Sequence, residues 1–400
     1  MNPTKQYKSK RQEKLARKQL QSRLDKSSFA TKTAFRDAER NFKSRCPPPD
    51  FTNVIDFYNT ENCNEEIRRE IVEVELSCDL GNENNLFFEK SQKAYLIKSI
   101  PGFIFIRNAF PPSTQKRIIE CCLRDVAKYP NIGNLDVHYI LPKDGLWSLH
   151  ERIFKKELDP DDEECRVPLK AHADALDTLS SQYPASSNND VSSDSESSLP
   201  ISDISTTASA SPQSTRKPSP LPSPILPPDK LVRKLRWMTV GYQYDWPTKI
   251  YHFDRRFPVP SIIAGLSNAV VKAIEGVGIP DGGFVNEYKA SDWKAEAGLV
   301  NYYQLKDNLM AHVDKSEVNM DAPLVSFSFG HACIFLIGGS TKDTPPKAMY
   351  LRSGVPRILE GTLPFYLEKD GADPSWDVFA DYMSQTRINI NIRQVFNINN

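Results

Sequence analysis

Two side chains of the kind that bind transition metals stand two residues apart in the segment "NYYQLKDNLMAHVDKSE", residues 301–317. They are His312 and Asp314, and the alternation of apolar and polar residues around them predicts a short strand at about 310–314. Residues i and i+2 of a strand point to the same face, so the imidazole and the carboxylate would lie side by side. Such a pair supplies two of the three protein ligands that hold non-haem Fe(II). The spacing therefore predicts a metal site that still needs a second histidine.

The His-x-Asp pattern by itself is weak, because it occurs three times in this chain. The other two copies are His172-Ala-Asp174, at the edge of a Ser/Pro-rich segment, and His252-Phe-Asp254, within the polar aromatic segment "KIYHFDRRF". Only the copy at 312–314 lies between strand-like segments. A hydrogen-bonded structural His–Asp pair is the alternative to a metal site there.

The segment "RININIR", residues 387–393, alternates strictly between polar residues and isoleucine. As a strand it would place Arg387, Asn389, Asn391 and Arg393 on one face and three isoleucines on the other. A guanidinium pairs bidentately with a carboxylate, so two arginines on one face could grip a dicarboxylate. The alternative is an edge strand whose arginines lie in water.

The hydrophobic pattern predicts the elements that would position these residues. It indicates helices at 111–130 and 260–278, and further strands at 94–110, 231–246, 297–304, 323–339, 347–354 and 386–396. Many short strands after an early helix are typical of a β-sandwich or jelly roll with helices on one side. We therefore expect an α+β fold.

Composition divides the 400 residues into four parts. Residues 1–45 form a basic N-terminal arm with fourteen Lys or Arg and four Asp or Glu, and residues 46–171 form the N-terminal part of the folded domain. Residues 172–229 are predicted to be a disordered insertion, because 176–230 contain sixteen Ser, nine Pro and one aromatic residue. Such a segment cannot bury enough surface to offset its chain entropy. Residues 230–400 contain the candidate site.

The formal net charge is zero, although the N-terminal arm is strongly basic. The run "KSKRQEKLARK" predicts a nuclear address or a nucleic-acid-binding arm, and a solvated basic tail is the alternative. Glu13 and Asp25 fit a mitochondrial transit peptide poorly. We expect a location in the nucleus, the cytoplasm or both, with the mitochondrion left open.

The seven cysteines form no C-x-x-C pair. Their scatter predicts reduced thiols in an intracellular compartment and argues against a disulfide framework or a zinc ribbon. No apolar run approaches the ~18 residues of a membrane span. We expect a monomer that does not enter a membrane.

The order N-x-Y, H-x-D and R-x-N-x-x-x-R resembles the AlkB family of Fe(II)/2-oxoglutarate dioxygenases, and within it the eukaryotic homologue-1 branch. The resemblance extends from about residue 33 to residue 396, interrupted by the Ser/Pro-rich segment. The blocks that carry it are "PGFIFI", "NLD", "KLRWMTVGYQYDW", "AEAGLVNYYQL", "HVDKSE", "PLVSFSFG" and "RININIRQV". It implies a double-stranded β-helix, a cupin-like jelly roll flanked by helices, with Fe(II) at its open end and 2-oxoglutarate as cosubstrate.

The resemblance also implies roles for the residues of the predicted site. His312 and Asp314 match the first two metal ligands. Arg387 matches the arginine that pairs with the distal carboxylate of 2-oxoglutarate, and Arg393 matches the second arginine of the signature. Three further positions match the cosubstrate region: Asn301, Tyr303 and Asn389.

Three aromatic residues, Tyr242, Tyr244 and Trp246, lie where the family builds its nucleotide-recognition lid. Aromatic side chains there would stack on a flipped base. Plain core packing is the alternative for each of them.

The chain departs from the family pattern at the third metal ligand. In the family, a strand, a turn and a second strand ending in histidine stand between the blocks matched by "AMYLRSG" and "VPRIL". Here Gly354 is followed directly by Val355, so about fifteen residues are missing. The only histidine after Asp314 is His331, which we interpret as a core residue. We expect such an excision to leave a sheet edge unpaired.

The resemblance implies oxidative demethylation of N-methylated bases in DNA or RNA, tRNA included. The reaction consumes O2 and 2-oxoglutarate and releases formaldehyde, succinate and CO2. Two alternatives stay open: a catalytically impaired protein that binds nucleic acid, and a dioxygenase that acts on a protein such as a histone.

Overall fold

The computed structural model describes residues 33–44, 46–76, 92–170, 226–245, 249–280, 282–314, 316–353, 363–369, 371 and 373–397. Several segments that the sequence singled out lie outside these residues. They are most of the basic arm, nearly all of the Ser/Pro-rich insertion, His172, Trp246 and the segment that begins at Gly354.

The described residues form seven α-helices and eleven strands. The helices are α1 Ala34–Lys43, α2 Glu65–Glu70, α3 Pro112–Cys121, α4 Gly145–Phe154, α5 Pro228–Leu231, α6 Ser261–Ala273 and α7 Asp377–Met383. The strands are β1 Val54–Ile55, β2 Ile71–Leu76, β3 Gln92–Ile97, β4 Ile100–Ile106, β5 Trp237–Asp245, β6 Ile250–Arg256, β7 Ala297–Gln304, β8 Val325–Gly330, β9 Cys333–Ile337, β10 Lys347–Leu351 and β11 Thr386–Arg393.

The candidate site lies on a five-stranded antiparallel sheet in the order β6-β5-β7-β11-β8. Strand β11 pairs with β7 on one side and with β8 on the other. Gly298 of β7 allows close packing here, because a Cβ at this position would lie 2.4 Å from Ile392 Cδ1 and 2.9 Å from Asn391 O. The chain thus brings segments about ninety residues apart into register at the site.

Two three-stranded sheets complete the β-structure, in the orders β1-β10-β9 and β2-β3-β4. Together with the helices they agree with the expected α+β jelly-roll class. Strands β8 and β9 follow one another in the chain, and each is the outer strand of its sheet among the described residues. The gap after Gly354 predicts an unpaired sheet edge, and residues 354–362 themselves lie outside the described residues.

The isoleucines of β11 form the centre of the main core. Ile388, Ile390 and Ile392 are fully buried in a cluster that also contains Trp147 of α4 and Phe379 of α7. Burial of one such side chain contributes about 1.5–3 kcal/mol to stability. This packing fixes which face of β11 is left for the polar residues.

Several predicted elements have different boundaries in the structure. The segment 94–110 is not one strand, because Lys98 and Ser99 form a turn between β3 and β4. The segment 323–339 is likewise divided into β8 and β9. The first part of 231–246 is helical, and β5 begins only at Trp237.

The predicted helices are shorter than expected. The segment 111–130 forms α3 and one π-helical turn, Cys122–Val126. Helix α6 ends at Ala273, and Gly276 follows it with φ of +74°. No helix among the described residues is both long enough and apolar enough to cross a membrane.

Candidate functional site

The polar face of β11 is the base of the candidate site. Arg387 and Asn389 lie opposite Tyr303 and Asn301 of β7, respectively. Ser328 of β8 lies opposite Asn389 on the other side. The alternation of β11 and the antiparallel register therefore bring four of the predicted cosubstrate residues together on adjacent strands.

Arg387 is a buried cation with unused hydrogen-bonding capacity. Its side chain is 9% exposed, and Nη2 donates to Ser328 Oγ at 2.6 Å. Its guanidinium lies 5.8 Å from the centre of the Tyr303 ring. Its Nε is buried and has no hydrogen-bond partner among the described residues. A buried donor without a partner is costly, so this guanidinium is suited to an anionic ligand such as a carboxylate.

Asn389 connects β11 to both neighbouring strands through side-chain hydrogen bonds. Its Nδ2 donates to Ser326 Oγ at 3.0 Å and to Phe327 O at 2.9 Å. Its Oδ1 accepts from Asn301 at 3.3 Å and from Asn391 at 3.1 Å. These bonds occupy its amide within the sheet, and its predicted contact with the cosubstrate stays a prediction.

His312 and Asp314 lie in a loop, so the strand predicted at 310–314 is wrong. The loop connects β7 to β8, and Leu309 and Val313 are 52% and 60% exposed. Alternation alone does not form a strand without a partner strand and an apolar layer beneath it. The two candidate ligands still face one another, with His312 Nε2 3.9 Å from Asp314 Oδ1.

Arg393, at the end of β11, holds this loop to the sheet. Its Nη2 donates to Asp314 Oδ2 at 2.8 Å, and its Nη1 donates to Glu317 Oε1. Burial lowers the pKa of Arg393, but Tyr251 and the two carboxylates outweigh burial and raise it. The guanidinium therefore stays charged between two acids. Its predicted contact with 2-oxoglutarate is not tested by this arrangement and stays a prediction.

The hairpin of β5 and β6 contacts the same loop. Tyr251 Oη donates to Glu317 Oε1 at 3.1 Å, and the Tyr244 and Ser316 hydroxyls lie 2.6 Å apart. Burial, reinforced by Glu317, raises the pKa of Tyr251 well above its usual range. These tyrosines thus fasten the hairpin to the loop that carries Asp314.

The predicted aromatic lid is only partly described. Tyr242 packs edge-on against Phe396 at 4.9 Å, beneath Arg256. Phe253, which the sequence analysis did not single out, stacks on Phe396 at 4.1 Å and is 66% exposed. Trp246 lies outside the described residues. Base stacking by Tyr242, Tyr244 and Trp246 stays a prediction.

The residues that the structure describes do not supply a complete set of iron ligands. In the part of the chain that the structure describes, no three His, Cys, Asp or Glu side chains are grouped so that they could hold a metal ion. His331 is buried, and its Nε2 lies 2.9 Å from Ser384 O, as suits a core residue. The described residues therefore fit the carboxylate of the cosubstrate at Arg387, but they supply only His312 and Asp314 toward iron.

The residues that sequence reasoning missed all act through contacts between distant segments. The hydroxyl of Ser328 accepts from Arg387, and the carboxylate of Glu317 accepts from Arg393. The hydroxyl of Tyr251 donates to Glu317 and so fastens the hairpin. A run such as "HVDKSE" contains Glu317, but nothing in the sequence shows that its carboxylate is buried. Only the register of β11 and the position of the hairpin show these contacts.

Comparison with known proteins agrees with this arrangement. The family profile of the 2OG-Fe(II) oxygenase superfamily matches residues 189–393, just over half of the chain. The chain belongs to this superfamily, whose members use Fe(II) and 2-oxoglutarate.

Similarity to individual proteins indicates which group within the superfamily this chain resembles. The nucleic acid dioxygenase ALKBH1 of Homo sapiens is 29% identical over 403 aligned positions, which cover 90% of this chain and 84% of that protein. The DNA N(6)-methyladenine demethylase ALKBH1A of Arabidopsis thaliana is 38% identical over 42% of this chain and 50% of its own length. The tRNA demethylase abh1 of Schizosaccharomyces pombe is 37% identical over 42% of this chain and 55% of its own length. These similarities identify an ALKBH1-like protein of the AlkB type.

Proposed function

We propose that this protein serves the oxidative demethylation of N-methylated bases in DNA or RNA, tRNA included. The observation that carries the proposal is the buried Arg387 guanidinium, whose Nε has no hydrogen-bond partner among the described residues and could donate to an anion. The loop with His312 and Asp314 is fastened to the other end of the same strand through Arg393. The names of the relatives, which include DNA and tRNA demethylases, support nucleic acid as the substrate.

The overall chemistry balances with O2 as the oxidant. One oxygen atom enters succinate as 2-oxoglutarate loses CO2, and the other enters the methyl C–H bond. The hydroxymethyl group then leaves as formaldehyde and restores the N–H of the base. Iron, when bound, supplies the activation of O2.

The part of this chemistry that Arg387 performs is recognition. A planar guanidinium pairs with both oxygens of a carboxylate, and burial strengthens the pair. Tyr303 beside it closes one side of the site.

The incomplete donor set favours a second candidate function. With two protein ligands the chain would hold iron weakly, because a facial site uses three. It would then bind nucleic acid and 2-oxoglutarate without sustained turnover.

The basic arm supports nucleic-acid binding in either case. We propose the nucleus or the cytoplasm as the location of the protein.

Titration with 2-oxoglutarate tests the recognition step. Arg387→Ala should weaken binding roughly ten- to a hundredfold, because a hydrogen bond to a charged group contributes about 1.5–3 kcal/mol. The affinity of Arg387→Lys for 2-oxoglutarate should lie between that of the unchanged protein and that of Arg387→Ala, because a point charge cannot pair bidentately with a carboxylate. Arg69→Ala, a change at an exposed residue of α2, serves as the control.

Mass spectrometry of an oligonucleotide with one N-methylated base tests the reaction. The protein tested is a variant that carries the family strand–turn–strand with its histidine between Gly354 and Val355 and that binds iron one to one. Loss of the methyl group with equal amounts of succinate and formaldehyde supports demethylation. Retention of the methyl group by such a variant, with 2-oxoglutarate bound, would contradict the proposed function.

A further inference from the structure

Helix α1 lies against the loop that carries the candidate metal ligands. The side chain of Glu39 is only 8% exposed, and its Oε1 accepts a hydrogen bond from the Ala311 backbone N–H at 2.9 Å. Its Oε2 accepts from Arg36 Nη1 at 2.7 Å. Ala311 directly precedes His312, so a carboxylate 272 residues earlier in the chain holds the backbone next to a metal ligand.

Helix α1 is itself well anchored. Phe35 N donates to Lys342 O at 2.9 Å, and the Phe35 ring occupies the space above Gly338, where a Cβ would lie 2.8 Å from it. At the other end of the helix, the Phe42 ring lies 6.0 Å from that of Phe51. Glu39 is therefore a fixed acceptor.

The loop needs such an anchor because little else holds this part of it. Leu309, Met310 and Val313 are all more than 40% exposed. Among the described residues, the bond to Glu39 is the only hydrogen bond that ties 308–313 to another element, apart from contacts of the Met310 sulfur with Arg36 and Lys43. The next anchor along the chain is the Asp314–Arg393 pair.

The ring of His312 depends on this anchor through the backbone. His312 Nδ1 lies 2.8 Å from Met310 O, so the ring is oriented by the backbone of the residue before Ala311. Movement of 310–311 would turn the ring and change the distance between its Nε2 and Asp314. A fixed backbone at this point keeps Nε2 directed toward Asp314.

We propose that Glu39 is a positioning residue that holds the backbone of 310–312, and with it the ring of His312, by accepting the Ala311 N–H. The inference rests on the proposed function in one respect, because it takes this loop as part of the reaction site. Because α1 lies within the basic arm, residues 1–45, this contact also links the arm to the site.

Hydrogen exchange of the full chain tests the proposal without iron or turnover. Glu39→Ala should speed exchange in the peptide that contains 309–313 roughly tenfold, because an amide that loses its acceptor opens more readily. Glu39→Gln should restore slow exchange, since its amide oxygen still accepts the Ala311 N–H although the ion pair with Arg36 is lost. Asp37→Ala, which removes an exposed acid from the same helix, should leave this peptide unchanged.

Three outcomes would overturn the proposal. They are unchanged exchange in Glu39→Ala, exchange in Glu39→Gln as fast as in Glu39→Ala, and faster exchange throughout the chain with a lowered melting temperature. The last result would mean that Glu39 supports folding in general. Failure of methyl removal would contradict the proposed function and leave these exchange results unaffected.

Discussion

At the scale of single residues, the site is a set of charges on one strand. Arg387 and Arg393 lie on the same face of β11, yet they have different partners. Among the described residues, Arg387 has a buried donor without a partner, whereas Arg393 donates to both Asp314 and Glu317. One arginine is thus left for a ligand, and the other fixes the loop.

Sequence reasoning found these residues because their spacing carries information. Strict alternation over 387–393 predicts a shared face, and burial of the three isoleucines leaves the arginines on the other face. The partner residues were not predictable in the same way. Glu39 and Ser328 act on segments far from them in the chain, and only the folded structure brings them together.

Buried His150 should make the stability of the fold depend on pH. Both ring nitrogens lack a hydrogen-bond partner among the described residues, and the ring packs on Trp147. Burial, helped by Arg233, lowers the pKa of His150, and Asp381 and Asp229 only partly oppose this. The unfolded chain therefore takes up a proton first, so stability should fall as pH falls below about 6.5.

Urea unfolding at pH 7.5 and pH 5.5 measures this effect. The unfolding midpoint should fall on acidification, and the fall should be smaller in His150→Leu. His138→Gln, a change at an exposed histidine, should keep the full fall. An equal fall in His150→Leu would show that other groups determine the acid sensitivity.

At the scale of elements, β8 and β9 are each the outer strand of their sheet among the described residues, so the described sheets do not close into a barrel. Their sequences, "VSFSFG" and "CIFLI", contain no charged residue and no proline, which are the usual protections of an edge strand. Every residue of β9 is at least partly exposed, and Phe335 is 41% exposed. A missing pair of strands between Gly354 and Val355 stays a prediction, because residues 354–362 lie outside the described residues.

The element predictions succeeded where a strand has partners on both sides. Strands β7 and β11 lie within the sheet and match the predicted segments closely. The prediction failed at 310–314, where the same alternation occurs without a neighbouring strand. Turns such as Lys98-Ser99 were missed because they contain none of the usual turn-forming residues except serine.

The open edges predict association between copies of the chain. Because antiparallel pairing of β9 with a second β9 would satisfy its backbone groups, we expect dimers or larger species at high concentration, in contrast to the monomer expected from sequence. Phe335→Lys should reduce this association in sedimentation velocity experiments. Phe365→Lys, a change at an aromatic residue that is 71% exposed and lies outside the strands, should not. A chain that is monomeric at all concentrations would contradict the prediction.

At the scale of the whole molecule, we propose that the basic arm adds nucleic-acid binding to that of the folded part. Residues 1–32 contain ten Lys or Arg and two Asp or Glu. They precede α1, which contacts the site loop. Composition indicates the arm and the insertion from sequence alone, but their role depends on partners that composition does not specify.

Deletion of residues 1–32 should weaken binding to RNA or DNA and flatten its salt dependence. Fewer phosphate contacts release fewer counterions, and each contact contributes about 0.7–0.9 to the slope of log K against log salt. Deletion of 180–211, an equally long segment without Lys or Arg, is the matched control and should not flatten the slope. An unchanged slope after removal of the arm would show that the folded part alone carries the binding.

The central claim is that the described residues retain the cosubstrate side of a dioxygenase site but supply only two protein ligands for iron. Its most direct test is the iron bound per chain, measured together with succinate formation. We compare the chain as it stands with two variants that carry a family strand–turn–strand of about fifteen residues between Gly354 and Val355. One variant keeps the histidine of that insert, and the other has alanine in its place.

We predict well under one iron per chain and little succinate for the chain as it stands and for the alanine insert. The histidine insert should bind about one iron per chain and form succinate, and His312→Ala in that variant should abolish both. One iron per chain with substantial succinate formation by the chain as it stands would contradict the account. The third ligand would then be present already, and His331→Ala would show whether it is that residue.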